Sequence, residues 1–154
     1  MHPVILQELA AERVKAMITR ADDEQWHLLI LQDLVRRRGL RQSFLLHRLA
    51  PWLIAFCYYH LSWLLFLIRA TWSYRLNADF EDHAGHEYMA YAAEHPELDT
   101  EPNPGRYAAQ YGHHSSLADL FRHIGHDERV HKLDSLANCG SRVPARHLRS
   151  GEAP

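Results

Sequence analysis

The chain has 154 residues and a formal net charge of −2, from 17 Lys and Arg against 19 Asp and Glu. That length suits one domain with a real core, and the basic residues, scattered apart from Arg36, Arg37, Arg38 and Arg41, leave no electrostatic footprint for nucleic acid. The two cysteines, Cys57 and Cys139, lie far apart with no C-x-x-C spacing, which argues against a zinc ribbon or disulfide scaffold and fits a reducing compartment.

Residues 1–20 hold one short apolar patch and then the charges Glu8, Glu12, Arg13 and Lys15, so no signal peptide is visible. Residues 4–18 have helical periodicity and run on, with or without a break near Ala21, into a stretch where Leu28, Leu31, Leu34 and Val35 share one face. Gly39 follows three arginines and is predicted to stop this helix after Arg38, because glycine accepts a left-handed cap and cations favour the last turn. Ser43 is the expected cap of the next helix, residues 43–70, which contains the longest apolar run of the chain. That run, residues 49–68, is broken clearly only by His60 and Ser62. It is long enough to span a bilayer; it also suits a helix lying in one leaflet, or a buried helix of a soluble protein. Trp52, Tyr58, Tyr59 and Trp63, flanked by Arg48 and Arg69, favour membrane contact.

Thr71 is the expected cap where the chain turns back into residues 72–94, with Glu81, Ala84, Tyr88 and Tyr91 on one face. His95-Pro96 ends that helix. Residues 97–114, with Pro102, Pro104, Gly105 and Gly112, read as a connection with room for one short helix. Ser116 and Asp119 resemble a capping box opening the last helix, and Gly140 closes it. Residues 141–154 read as a flexible tail behind a domain of residues 1–140.

The chemistry sits where apolar stripes meet polar residues. In the last helix Leu117, Leu120, Phe121 and Ile124 form a stripe whose continuation reaches Glu128 and His131. Glu24 and His27 lead into the corresponding stripe of the first helix. Burying an acid and an imidazole unpaired costs several kcal/mol, and metal ligation offsets that cost. Two inward-facing Glu-x-x-His pairs, with single glutamates from two further helices, make the ligand set of a di-iron carboxylate bundle. About one such match is expected by chance in so histidine-rich a chain, and exposed helix-surface pairs are the competing reading; two matches that both continue a stripe favour ligands. Glu81 is then the single carboxylate of a third helix, or else an acid of a solvated patch with Asp79, Asp82 and Glu87. At 1.5 Å per residue, Glu24 lies roughly 24 Å above the Gly39 turn, Glu81 roughly 27 Å and Glu128 roughly 24 Å. The agreement requires a sharp reversal near Thr71.

These residues resemble the alternative oxidases, membrane-associated di-iron quinol oxidases, and in particular the plastid terminal oxidase branch with its bacterial relatives. DLFRHIGHDERVHKLDSLANC is similar to that family's last ligand segment, EQWHLLILQDL to its earlier Glu-x-x-His segment, and FEDHAGHEY to the segment with a lone glutamate ligand and a tyrosine seven residues on. The resemblance implies oxidation of a quinol, ubiquinol or plastoquinol, coupled to reduction of O2 to water without proton pumping. It implies two iron ions held by Glu24, His27, Glu81, Glu128 and His131, a redox role for Tyr88, and Asp127 orienting ligands. It also implies that the apolar helix rests in one membrane leaflet.

The family carries a further glutamate on a helix well before the first Glu-x-x-His, whereas 23 residues precede Glu24 here, and Asp23 stands where the family has asparagine. The expectation is therefore an all-α, ferritin-like di-iron four-helix bundle, N-terminally shortened, with an apolar membrane-interfacial helix. It is read as either a truncated form of a longer gene product or a natural short form. The expected location is the cytoplasmic face of a bacterial inner membrane, with homodimerisation left open. The alternatives are a di-iron hydroxylase on the same scaffold and a non-catalytic, degenerate membrane-associated helical protein.

Overall fold

Helical periodicity in the sequence becomes helix throughout, and no strand occurs among the described residues, 3–103 and 106–140 of this computed structural model. The flexible tail expected at residues 141–154 lies outside them. Helix α1 (Pro3–Arg37) is continuous through Ala21. A π-helical turn (Leu45–Leu49) leads into α2 (Ala50–Glu94), followed by a 3-10 turn (Pro96–Asp99), a short helix α3 (Ala108–Tyr111) and α4 (Leu117–Asn138).

The local stop signals act as their chemistry requires. Gly39 and Gly140 both take left-handed φ, +60° and +72°, just past the ends of α1 and α4. The Ser116 hydroxyl accepts from the Asp119 backbone N–H at 3.1 Å and so caps α4. His95, forced out of helical geometry before Pro96, ends α2. Ser43 does not act as the expected side-chain cap: its backbone N–H donates to His47 Nδ1 at 3.0 Å, so an imidazole one turn on takes the orphan donor.

The chain divides into two compact units. The smaller comprises residues 1–40 with 103–115, the larger residues 41–102 with the chain from Ser116. In the smaller unit the segment after Asn103 lies along α1. Trp26 and Tyr107 rings meet at 5.9 Å, and Asp33 pairs with Arg37 at 3.0 Å while accepting the Arg106 backbone N–H at 3.5 Å.

In the larger unit α2 folds back on itself. Arg69 adopts φ −160° and ψ 106°, an extended geometry inside an otherwise helical run, two residues before the expected turn. Tyr58 hydrogen-bonds Asn77 and its ring lies 4.9 Å from that of Phe80, while Phe66 meets Tyr74 at 6.2 Å. A straight helix would separate residues 58 and 77 by about 28 Å, so residues 50–68 and 70–94 are antiparallel arms. The second arm also packs antiparallel to α4. Cys139 donates to the Thr71 carbonyl at one end, and Tyr91 meets Phe121 at 5.0 Å near the other. Between them Gly85 and Gly125 cross so closely that a Cβ on Gly125 would lie 3.2 Å from the Gly85 carbonyl oxygen.

The core of this unit is narrow, built from Ala78, Ala92, Leu98, Leu117, Leu120, Phe121 and Ile124. Arg122 pairs with Asp99 at 2.9 Å and ties the 3-10 turn to α4; that hydrogen bond raises the guanidinium pKa further. The first arm is the opposite case: none of its most apolar window is buried. Both cysteines are free thiols.

Candidate metal centre

The Gly85–Gly125 crossing sets the distance between two helices, and the ligands lie at that level. Glu81 is one turn before Gly85 and Glu128 is one turn after Gly125, so the antiparallel arrangement points both carboxylates at one place. The relative exposures of Glu81, Glu128 and His131 are 4 %, 4 % and 3 %. One ligand atom from each lies within 4.8 Å of the others, and His131 Nδ1 is 3.9 Å from the Glu128 carboxylate.

Two carboxylates this close, away from water, repel each other, and they and the imidazole lose their hydration. A multivalent cation offsets both costs, and oxygen and imidazole donors suit iron among first-row metals. The donor set therefore fits a metal ion. Lys132 binds the neighbouring Asp82, and this hydrogen bond holds the Asp82 carboxyl below the usual range. An open groove of about 290 Å³, lined among others by Gly85, Met89, Gly125 and Arg129, reaches Glu81.

The smaller unit carries the second pair. His27 is 3 % exposed, with Nδ1 4.0 Å from Glu24 Oε2. Its other ring nitrogen, Nε2, is hydrogen-bonded to the Tyr111 hydroxyl at 3.0 Å. In the tautomer protonated at Nε2, His27 donates to Tyr111 and presents the Nδ1 lone pair on the Glu24 side, the arrangement by which outer partners orient metal-binding histidines. Glu24 itself is the exposed member, its side chain 45 % accessible.

Tyr88 is half-buried, its ring stacked on Phe121 at 6.3 Å and 20°. It stands two turns from Glu81, and Phe121 two turns from Glu128, so the pair forms a layer about 10 Å along the helices from the carboxylates. Asp127, next to Glu128, lies 3.7 Å from His123 Nε2 and 4.0 Å from His126 Nδ1.

Two contributors escaped the sequence reading. Tyr111 belongs to a stretch read as a connector, where only the i, i+4 spacing of Tyr107 and Tyr111 hinted at a helical turn with an aromatic face. Asn77 lies one turn before Glu81 and its amide donates to Glu81 Oε1 at 3.2 Å; the i, i+4 spacing was visible, but nothing in it marked Asn77 as facing inward. Among known proteins, the family model described as alternative oxidase matches residues 2–137 of the chain. No curated protein and no solved structure gives a match.

Proposed function

The chain belongs to the alternative oxidase family, and on that premise we propose that it is a quinol:oxygen oxidoreductase. We assign its di-iron carboxylate centre to Glu24, His27, Glu81, Glu128 and His131. The observation that carries the reading is the buried convergence of Glu81, Glu128 and His131 from two antiparallel helices. Glu24 and His27 repeat the same carboxylate–imidazole spacing on α1.

Iron, when bound, would supply the redox chemistry for a reaction in which two quinols give up four electrons and four protons and one O2 becomes two waters. The chain supplies the rest. Glu81 and Glu128 would balance the metal charge, and His27 and His131 would each offer an imidazole nitrogen as ligand. Tyr111 orients the His27 ring through Nε2, and Asp127 is assigned a like orienting role. Leu120, Phe121 and Ile124 keep water from the α4 side of the site. Tyr88 Oη, in the neighbouring layer, is assigned the relay of one of these electrons with its proton, which quinol then restores to it.

Quinols are lipid-borne, and the exposed first arm gives a route to them. Trp52 and Trp63 are more than half exposed, with Ile54, Leu67 and Ile68 beside them. Were this arm to cross the bilayer, the second arm antiparallel to it would bring the exposed Arg75 and Asp79 into hydrocarbon, at a cost of several kcal/mol. The arm therefore lies in one leaflet with aromatic side chains at the headgroups. We assign the leaflet to the cytoplasmic face of a bacterial membrane, a reducing side that suits a chain whose two cysteines lie far apart in sequence.

Iron analysis and quinol-dependent oxygen uptake test the proposal together, on protein purified from membranes after iron-replete expression. About two irons per chain and uptake abolished by Glu128→Ala are expected. Iron near zero, or uptake indifferent to Glu128→Ala, overturns it.

A further inference from the structure

Glu81 is not held by its own backbone alone. Asn77 sends Nδ2 to Glu81 Oε1 at 3.2 Å and to Ser135 Oγ at 2.8 Å, while its Oδ1 accepts from the Tyr58 hydroxyl. An asparagine side chain has two N–H donors and one carbonyl acceptor, and here they reach three places: the same arm, α4 and the apolar first arm. The amide orientation follows from chemistry. A carboxylate only accepts, so the flipped amide would set oxygen against oxygen at Glu81; the Tyr58 hydroxyl, able to donate or accept, then donates to the oxygen that this orientation presents. Ser135 is 2 % exposed and Glu81 4 %, while Asn77 and Tyr58 are half-buried, so the inner ends of the network are shielded from water, where a hydrogen bond holds its partners more firmly.

Tyr58 completes the chain from the other side. With Ser62 and Leu65 it forms the partly covered i, i+4, i+7 line of an arm otherwise open to its surroundings, and its ring packs on Phe80 at 4.9 Å. The link therefore joins the most exposed helix of the larger unit to one of its most buried acids.

We propose that Asn77 is a positioning residue for the Glu81 carboxylate, and that Tyr58 locks Asn77 in place from the apolar arm. The inference rests on the reading of Glu81 as a metal ligand. Asn77 orients the carboxylate plane before metal arrives, so that binding does not also have to order it. The Glu81 carboxylate, which only accepts, selects the amide orientation, and Tyr58 holds it by donating to the Asn77 oxygen. The seating of the apolar arm and the geometry of a ligand are thereby joined through two side chains.

Cobalt(II) titration of the full chain in detergent tests this, with affinity and visible absorption spectrum as readouts and helix content by circular dichroism as control. Wild type, Asn77→Leu, Tyr58→Phe and Leu98→Ala are compared. Asn77→Leu is expected to weaken cobalt binding by about 10–100-fold and to alter the cobalt spectrum with helix content kept. Tyr58→Phe, which removes one oxygen and keeps the ring, is expected to shift both in the same direction by less. Leu98→Ala, in the 3-10 turn away from Asn77, is expected to lower the unfolding temperature and leave the spectrum unchanged. Wild-type affinity and spectrum in Tyr58→Phe overturn the proposal even if Asn77→Leu fails to fold. An equal spectral change in Leu98→Ala overturns it too, because general loosening would then explain the effect. No cobalt binding by wild type brings down the metal-centre reading itself, and the inference with it.

Discussion

The first arm of α2 and α4 both owe their helical form to runs of apolar residues, yet they stand in opposite relation to water. Leu117, Ala118, Leu120 and Ile124 of α4 are 0–1 % exposed, whereas Ile54, Leu67 and Ile68 of the first arm are about 60 % exposed. The difference lies in distribution around the axis. The apolar residues of α4 form one stripe with charges on the other faces, which matches one packing surface. The first arm is apolar all round, and a single neighbouring helix covers only the line through Tyr58, Ser62 and Leu65. Apolar content thus predicts helix in both; only its angular spread predicts what the helix meets.

Substitutions in the two regions sharpen this contrast. The largest effect is expected from Ile124→Ala, which opens a void in the narrow core and costs about 2–5 kcal/mol, read as a fall in denaturation midpoint. Stability unchanged by Ile124→Ala would mean that α4 is not packed as described. Gly125→Ala comes next. Its Cβ would press on the Gly85 carbonyl and on Met89, and although the methionine can yield, the backbone cannot without parting the helices. A loss of about 1–3 kcal/mol is expected, with weaker metal binding, because the ligands flank this crossing. Stability kept and metal affinity lowered would separate helix spacing from folding.

The smallest effect on the fold is expected from Leu67→Ser, within about 0.5 kcal/mol in denaturant titration, because the side chain gains nothing from burial in the protein. The same substitution should weaken partition onto anionic phospholipid vesicles, where burying a leucine is worth about 1.5–3 kcal/mol. Equal vesicle binding by Leu67→Ser and wild type would remove the first arm from the membrane contact.

Much of this was legible in the sequence wherever the deciding interaction spans about one turn. The stops at Gly39, His95-Pro96 and Gly140 and the cap at Ser116 each depend on a few neighbouring residues. The ligand stripe of α4 was legible because Leu117, Leu120, Phe121, Ile124, Glu128 and His131 occupy one face by spacing alone. Ser43 was misread because a serine before a helix is a common cap, and nothing in the sequence showed that the first turn would instead be tied by the His47 ring to the Ser43 backbone N–H. Tyr111 was passed over because its partner is 84 residues away.

By itself, then, the sequence determined which segments are helical, where most of them stop, and that two carboxylate–imidazole pairs sit at one helical spacing. These follow from φ preferences, hydrogen bonds within a turn, and a period of 3.6 residues. Only the tertiary structure decided that the reversal expected near Thr71 falls at Arg69, that Gly85 and Gly125 bring two helices close, and that Asn77 joins Glu81 to Ser135 and Tyr58. Those contacts link residues far apart in the chain, and which surfaces meet is set by packing over a whole unit, a quantity that no local spacing carries.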